Sequence, residues 1–243
     1  MNKLGEVLLQ GCQAAGLSIS GDQVAGFERY GQLLVEWNEK VNLTAITDPE
    51  GIALKHFVDS LLCSKYVDFE GDLNLLDVGT GAGFPGIPLK IYNEKLQVTL
   101  LDSLQKRVKF LQQVSLEVKL YGLVAIHGRA EELGQQSKHR EQYDRVVSRA
   151  VARLAVLAEY CLPFVKVGGL FAALKGSSAG PEVEEGLYAV EQLGGKVKDV
   201  VEYSLPVLGD GRSLVVVEKV NPTPGKYPRK AGLPDKKPLL GGE

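Results

Sequence analysis

Leu75-Leu76-Asp77-Val78-Gly79-Thr80-Gly81-Ala82-Gly83-Phe84-Pro85-Gly86-Ile87-Pro88 decides how the whole chain is read. A short apolar run delivers into a turn whose glycines at 79, 81 and 83 let the backbone reverse with no Cβ in the way, and a helical segment follows. Outward from this unit the pattern repeats. Leu73 to Val78, Gln97 to Asp102, Leu123 to His127, Tyr143 to Ser148 and Gly169 to Leu174 read as short β runs with helical segments between them. That alternation predicts a parallel sheet with crossover helices. A helix around Pro181 to Leu193 precedes two closely spaced runs, Lys196 to Leu205 and Ser213 to Val220. Their short link, Pro206 to Arg212, permits a hairpin, so a mostly parallel α/β sheet of seven strands with an antiparallel last strand is expected.

Before the first strand the sequence reads as helical. After Ser20 and Asp22, either of which can cap, apolar residues recur at Val24, Phe27, Tyr30, Leu34, Trp37 and Val41, which is one buried helix face with Trp37 in the core. A second helical stretch runs from Gly51 to Tyr66. Residues 1–66 are therefore expected to form a helical extension packed on a core domain, 67–220, with a Pro-rich basic tail, 221–243.

Composition excludes several classes. The 243 residues carry 28 Lys+Arg against 30 Asp+Glu and are 44% hydrophobic, as in a globular enzyme and unlike disordered or collagenous chains. The three cysteines, Cys12, Cys63 and Cys161, are widely spaced, with no CxxC and no histidine at zinc spacing. Free thiols in a reducing cytoplasm and no metal are expected. No run approaches the roughly 18 apolar residues of a membrane span, and the N-terminus lacks a signal peptide's apolar region, so a cytoplasmic protein with no membrane partner is expected. The tail from Asn221 holds five basic residues and two acids, a net +3 that leaves −5 on the remainder.

The glycine turn gains meaning from Asp102, about 20 residues on at the end of the second strand, where an acid can accept both ribose hydroxyls. The competing reading of Asp102 is a helix cap. An adenosine-containing ligand is favoured. Gly81, Gly83 and Gly86 also fit the dinucleotide fingerprint, but Asp77 lies inside the motif and Pro85 and Pro88 remove amides that would hold a pyrophosphate. S-adenosylmethionine, which has no phosphate, fits better than NAD.

At this point NLTAI (42–46), KHFVDSL (55–61), LDVGTGAGFPGIPL (76–89), LLDSLQKRVKFL (100–111), HGRAEE (127–132), SRAVARL (148–154), ALKG (173–176) and KYPRKAGLPDKKPL (226–239) resemble, in order and over nearly the whole chain, the bacterial ribosomal RNA small-subunit methyltransferase G family, also called glucose-inhibited division protein B. The resemblance implies a Rossmann-like class I S-adenosylmethionine-dependent methyltransferase that acts on N7 of one guanosine in the decoding region of 16S rRNA. It also implies that Gly79 and Phe84 line the methionine and sulfonium part of the cofactor site, and Asp102, Ser103 and Leu104 the ribose and adenine; Gly81 and Gly83 of the turn are expected to bind the cofactor as well. Ala130 and Glu131 are implied on the adenine side, with Arg149 between cofactor and target base.

Guanine N7 has an in-plane lone pair and no proton, so displacement at a methyl sulfonium needs no general base, and none is expected. Arg149 either positions the base through O6 or a phosphate, or forms an ion pair with Asp144 or Glu131. Candidate RNA contacts are Lys106, Arg107, Lys175, Lys226, Arg229 and Lys230, with Tyr227 as a stacking surface. Lys106, Arg107 and Lys109 read equally as a solvated face. His56 and His127 are expected to be structural, His139 exposed and Cys161 buried. The partner is expected to be 16S rRNA in the 30S subunit or its precursor, and the protein a monomer. A small NAD-dependent oxidoreductase and a non-catalytic RNA-binding factor remain the competing classes.

Overall fold

The computed structural model describes residues 1–241. The seven strands are β1 (Asn74–Val78), β2 (Gln97–Asp102), β3 (Leu123–His127), β4 (Tyr143–Arg149), β5 (Val165–Lys175), β6 (Gly195–Ser204) and β7 (Gly211–Lys219). They form one sheet in the order β3-β2-β1-β4-β5-β7-β6, and β7 pairs antiparallel with both of its neighbours. The chain winds outward from β1 to β3, then returns to place β4 on the other side of β1. That reversal opens a crevice beyond the carboxyl ends of β1 and β4, the position where open α/β sheets bind ligands.

Because side chains alternate along a strand, each strand feeds two cores. Leu75, Leu100, Val147, Leu174 and Val216 face one layer, and Leu76, Leu101, Val146, Ala173 and Val217 the other. The second layer is closed by helices Leu154–Cys161 and Gly180–Gln192. The first is closed largely by the N-terminal helices. α1 (Lys3–Ala15) is capped by Asn2 and stops at Gly16, whose φ of 70° is left-handed. α2 (Gly21–Val41) starts with a capping box in which Ser20 and Gln23 satisfy each other's amides. Its stripe buries Val24, Phe27, Tyr30, Leu34 and Val41, with Trp37 half-buried against Phe110.

The helical stretch before the sheet is more irregular than its spacing predicts. A turn of α-helix, Pro49–Gly51, passes into a π-helix, Ile52–Val58, then α-helix Asp59–Leu62 and a 3₁₀ turn, Cys63–Lys65. β5 begins at Val165, not Gly169, because its pairing with β4 shifts register after Tyr143 and Gly168 supplies a φ of 85°. The pair Gly168-Gly169 is a bulge in the sheet. His139, expected at the surface, is buried and bonds through Nδ1 to the Tyr143 hydroxyl at 3.0 Å.

Candidate active site

The glycine turn is built from amides already in use. The N–H groups of Gly79 and Thr80 donate to the Leu101 carbonyl, and that of Gly81 to Asp102 Oδ2 at 2.9 Å. Those of Gly83 and Phe84 go to the Thr80 carbonyl and that of Ile87 to the Gly83 carbonyl. The Gly86 amide, at the start of helix Gly86–Tyr92, donates to Asp77 Oδ2 at 2.8 Å, and the Thr80 hydroxyl binds the same oxygen at 2.7 Å. A carboxylate of the protein thus occupies the place where a dinucleotide fold puts a pyrophosphate. The left-handed backbone at Gly83 lies so near Ile87 and the Tyr30 hydroxyl that a Cβ there would sit 2.5 Å from Ile87 Cδ1. At Gly81, φ 61°, the space a Cβ would fill is open.

Asp102 acts as the turn cap that its position suggests and holds the glycine turn as well. Oδ1 accepts from the Leu104 amide at 2.8 Å as a turn cap, while Oδ2 takes the Gly81 amide and Arg107 Nη1 at 3.4 Å. A carboxylate has about four lone-pair sites, so capacity remains for a ligand hydroxyl. Two cavities meet at Gly79, Asp102, Ser103 and Val151. One, of about 120 Å³, is lined by Gly128, Arg129, Ala130, Glu131 and Tyr160 as well. The other, of about 420 Å³, is walled by Leu43, Thr44, His56, Phe84, Arg107 and Arg149. The first fits the group implied by the turn: a carboxylate at the ribose position, an apolar floor from Val78 and Leu101, and a glycine turn whose amides at 79, 80, 81, 83 and 86 are already used within the protein.

Arg149 ends β4 and is followed by Ala150 in the left-handed region, φ 54°. Its guanidinium takes neither Asp144 nor Glu131 as partner. Nη1 donates to Asp59 Oδ2 at 3.2 Å and to the Lys55 carbonyl at 3.3 Å, Nη2 donates to His56 Nδ1 at 3.4 Å, and the group lies 4.7 Å above the Phe84 ring. Asp59 also meets Arg212 of β7 at 3.2 Å. Burial pushes the Asp59 carboxyl up from the usual range against the pull of both arginines. His56 stacks on Phe84, with ring centroids 4.5 Å apart. Burial, and then Arg149, bring its imidazole down to about 3. The π-helix of 52–58 packs the extra backbone into one turn, and π segments often occur where function needs a side chain re-aimed.

The remaining candidates divide. Gly79, Gly81, Asp102, Ser103, Ala130, Glu131 and Arg149 line the two cavities, and Phe84 lines the second. Gly83 and Leu104 line neither; Gly83 shapes the turn and Leu104 supplies the capping amide. Several expected RNA contacts are corrected by burial and pairing. Lys175 is 8% exposed and bound to Glu182 at 2.6 Å. Tyr227 is 5% exposed inside the second core layer, so its ring offers no stacking surface. Arg229 is held by the buried Glu159, with Nη2 to Oε2 at 2.6 Å. Lys106, Lys226 and Lys230 are exposed, and Arg107 is drawn toward Asp102. Glu131 accepts the Gly232 amide at 2.8 Å, so the tail abuts the first cavity.

Sequence reasoning did not single out Asp59, Thr44 or Tyr30 for the site. Asp59 and Thr44 lie in KHFVDSL and NLTAI, motifs quoted for resemblance alone. Tyr30 reads as a core residue by its spacing, but its hydroxyl donates to the Ala82 carbonyl at 2.5 Å and braces the glycine turn.

The sheet order and the crevice define a Rossmann-like methyltransferase fold. A SAM-dependent methyltransferase from Aquifex aeolicus superposes with a TM-score of 0.54 at 18% identity, covering 71% of this chain and 94% of that one. The [4+2]-cyclase SpnF also superposes, at 0.57 and 15% identity over 82% of this chain and 97% of its own. Fold alone therefore does not fix the chemistry. A sequence model described as rRNA small subunit methyltransferase G matches residues 23–210. The ribosomal RNA small subunit methyltransferase G of Alkaliphilus metalliredigens is 54% identical over 96% of this chain and 98% of its own length. That of Desulforamulus reducens is 51% identical over 98% of this chain and 100% of its own. The chain belongs to the rRNA small subunit methyltransferase G family.

Proposed function

We propose that the protein transfers a methyl group from S-adenosylmethionine to N7 of one guanosine in the decoding region of 16S rRNA, acting in the cytoplasm as a monomer on the 30S subunit or its precursor. The observation that carries the cofactor assignment is the set of spent amides around Asp77, which leaves no phosphate cradle and argues against NAD. The family carries the rRNA assignment. Bound in the first cavity, the cofactor supplies an electrophilic methyl on a sulfonium. Gly79, Asp102, Ser103, Ala130 and Glu131 hold it, and the second cavity receives the base.

Guanine N7 needs no deprotonation before in-line attack. The groups around the second cavity suit that chemistry: both His56 nitrogens and both Asp102 oxygens are already bonded within the protein. Their work is orientation, worth about 7–11 kcal/mol when a bimolecular step becomes effectively intramolecular. N7 lies on the edge that an A-form major groove hides, so the guanosine must be exposed or extruded. The test is transfer from labelled S-adenosylmethionine to 30S subunits of a strain lacking this protein, with the product nucleotide mapped. Label at N7 of a single 16S guanosine is expected; label on an exocyclic amine or a pyrimidine carbon overturns the reading.

A further inference from the structure

Thr44 borders the second cavity on a loop pinned by Asn38, whose Oδ1 accepts the amides of Leu43 at 2.7 Å and Thr44 at 2.8 Å. Its hydroxyl oxygen lies 2.8 Å from His56 Nε2 and 3.0 Å from the Ile46 amide. The direction of the first bond follows from the other side of the imidazole. His56 Nδ1 faces the Arg149 guanidinium at 3.4 Å, which has donors and no acceptor; the Lys55 carbonyl also lies against the ring but already accepts from Arg149 Nη1, so pairing the guanidinium with Nδ1 as the acceptor puts the proton on Nε2. Nε2–H then donates to Thr44. With the Ile46 amide and Nε2–H on its two lone pairs, the Thr44 oxygen has no acceptor capacity left. Its own proton then has no partner among the described residues.

Arg149 is in a related state. Both Nη1 donations and one from Nη2 are used inside the protein, which leaves Nε–H and a second Nη2 hydrogen. This wall of the cavity therefore offers donors. Guanine presents two acceptors, N7 and O6, on its Hoogsteen edge, whereas adenine presents N7 beside an N6 amino group that donates. A donor-only wall pairs with the first and opposes donor to donor against the second.

We infer that Thr44 is a specificity-determining residue: its hydroxyl, made a pure donor by the His56 tautomer, hydrogen-bonds O6 of the target guanine and leaves N7 free to attack. His56 is then a positioning residue that acts through Thr44 and Arg149. This rests on the proposed methylation of guanosine and specifies how that base is chosen.

The experiment compares wild type with Thr44→Ser and Thr44→Val on 30S subunits lacking the modification, alongside cofactor affinity and melting temperature. Thr44→Ser keeps the hydroxyl and is expected within about twofold of wild type in kcat/KM. Thr44→Val keeps the shape without the proton and is expected to lose roughly ten- to a hundredfold, with cofactor affinity unchanged, because O6 is left buried without its donor. Nitrogen-15 NMR of the imidazoles, with His56 assigned by its loss in His56→Phe, reads the tautomer independently and is expected to give protonated Nε2 and bare Nδ1. Full activity of Thr44→Val, equal losses in Ser and Val, or a proton on Nδ1 would each overturn the inference with the methylation reading intact. Absence of label from the wild type on the same subunits removes that reading, and this inference with it.

Discussion

Asp77 lies beneath the glycine turn, out of solvent, with one oxygen bound by Thr80 and Gly86 and the other without a partner. Burial is the dominant influence and raises its carboxyl from 3.8 to about 6. A raised acid contributes stability that is complete below the unfolded value and lost as pH rises through the folded one, so wild type weakens between about pH 4 and 6. Asp77→Asn keeps an acceptor for Thr80 and Gly86 but does not titrate. Relative to that variant, wild type is expected to lose on the order of 3 kcal/mol across this window. Urea unfolding at a series of pH values reads the difference, and a gap independent of pH refutes it. His56 works in the opposite sense. Its imidazole is lowered to about 3, so its contribution is present above the unfolded value of 6.5 and is lost as pH falls toward 3. The stability gap between wild type and His56→Phe should therefore narrow on acidification, and a gap that widens contradicts the neutral, acceptor-bearing ring.

The strands were legible because alternation and glycine punctuation are local signals, and β2 and β3 match their expected limits residue for residue. The partners of Arg149 were not, since Asp59 lies 90 residues earlier and no spacing rule joins a strand end to the helix turn that follows a π segment. The C-terminal segment misled for a related reason. Pro-rich chain has no periodicity, so nothing in the sequence marks Tyr227 and Arg229 as anchored and Lys226 and Lys230 as exposed, Lys226 with its ammonium 5.1 Å from the Tyr227 ring centroid. In the fold Arg140 donates to the carbonyls of Thr223 at 2.6 Å and Tyr227 at 2.7 Å, Gln135 to that of Pro228, and Glu159 clasps Arg229. Removing the Arg229 side chain leaves a fully buried carboxylate without its counter-ion and with only the residue 229 amide on it, so Arg229→Ala should destabilise by roughly 3–5 kcal/mol, while Lys226→Ala and Lys230→Ala should stay within about 0.5. Of the expected RNA contacts in the segment, the two lysines are the ones that test it: their replacement is expected to weaken 30S binding with cofactor affinity unchanged. Denaturant melts and filter binding separate the two effects, and an Arg229→Ala protein as stable as wild type would show that the clasp holds nothing.

On the scale of the whole molecule, the expected boundary at residue 66 crosses a single core. Leu8, Phe27, Leu34, Phe57 and Leu61 pack in one layer with Leu75, Leu100, Val147 and Leu214 of the sheet. Tyr30 bonds the turn after β1, and Asp59 ties β4 to β7. Fully burying each large apolar side chain contributes about 1.5–3 kcal/mol, so the interface holds far more than the few kcal/mol by which a domain is stable. A fragment starting at residue 67 would expose that sheet face and lose the wall carrying Thr44 and His56. The full chain should accordingly unfold in one cooperative transition, with amides in α1, α2 and β1 exchanging at the same global free energy. The fragment should lack a cooperative melt and bind hydrophobic dye. The exchange experiment is the sharper of the two, because it leaves the protein intact. If the α2 amides open several kcal/mol below those of β1, the helices are a separately unfolding layer, and the base cavity they wall would open and close without unfolding the sheet.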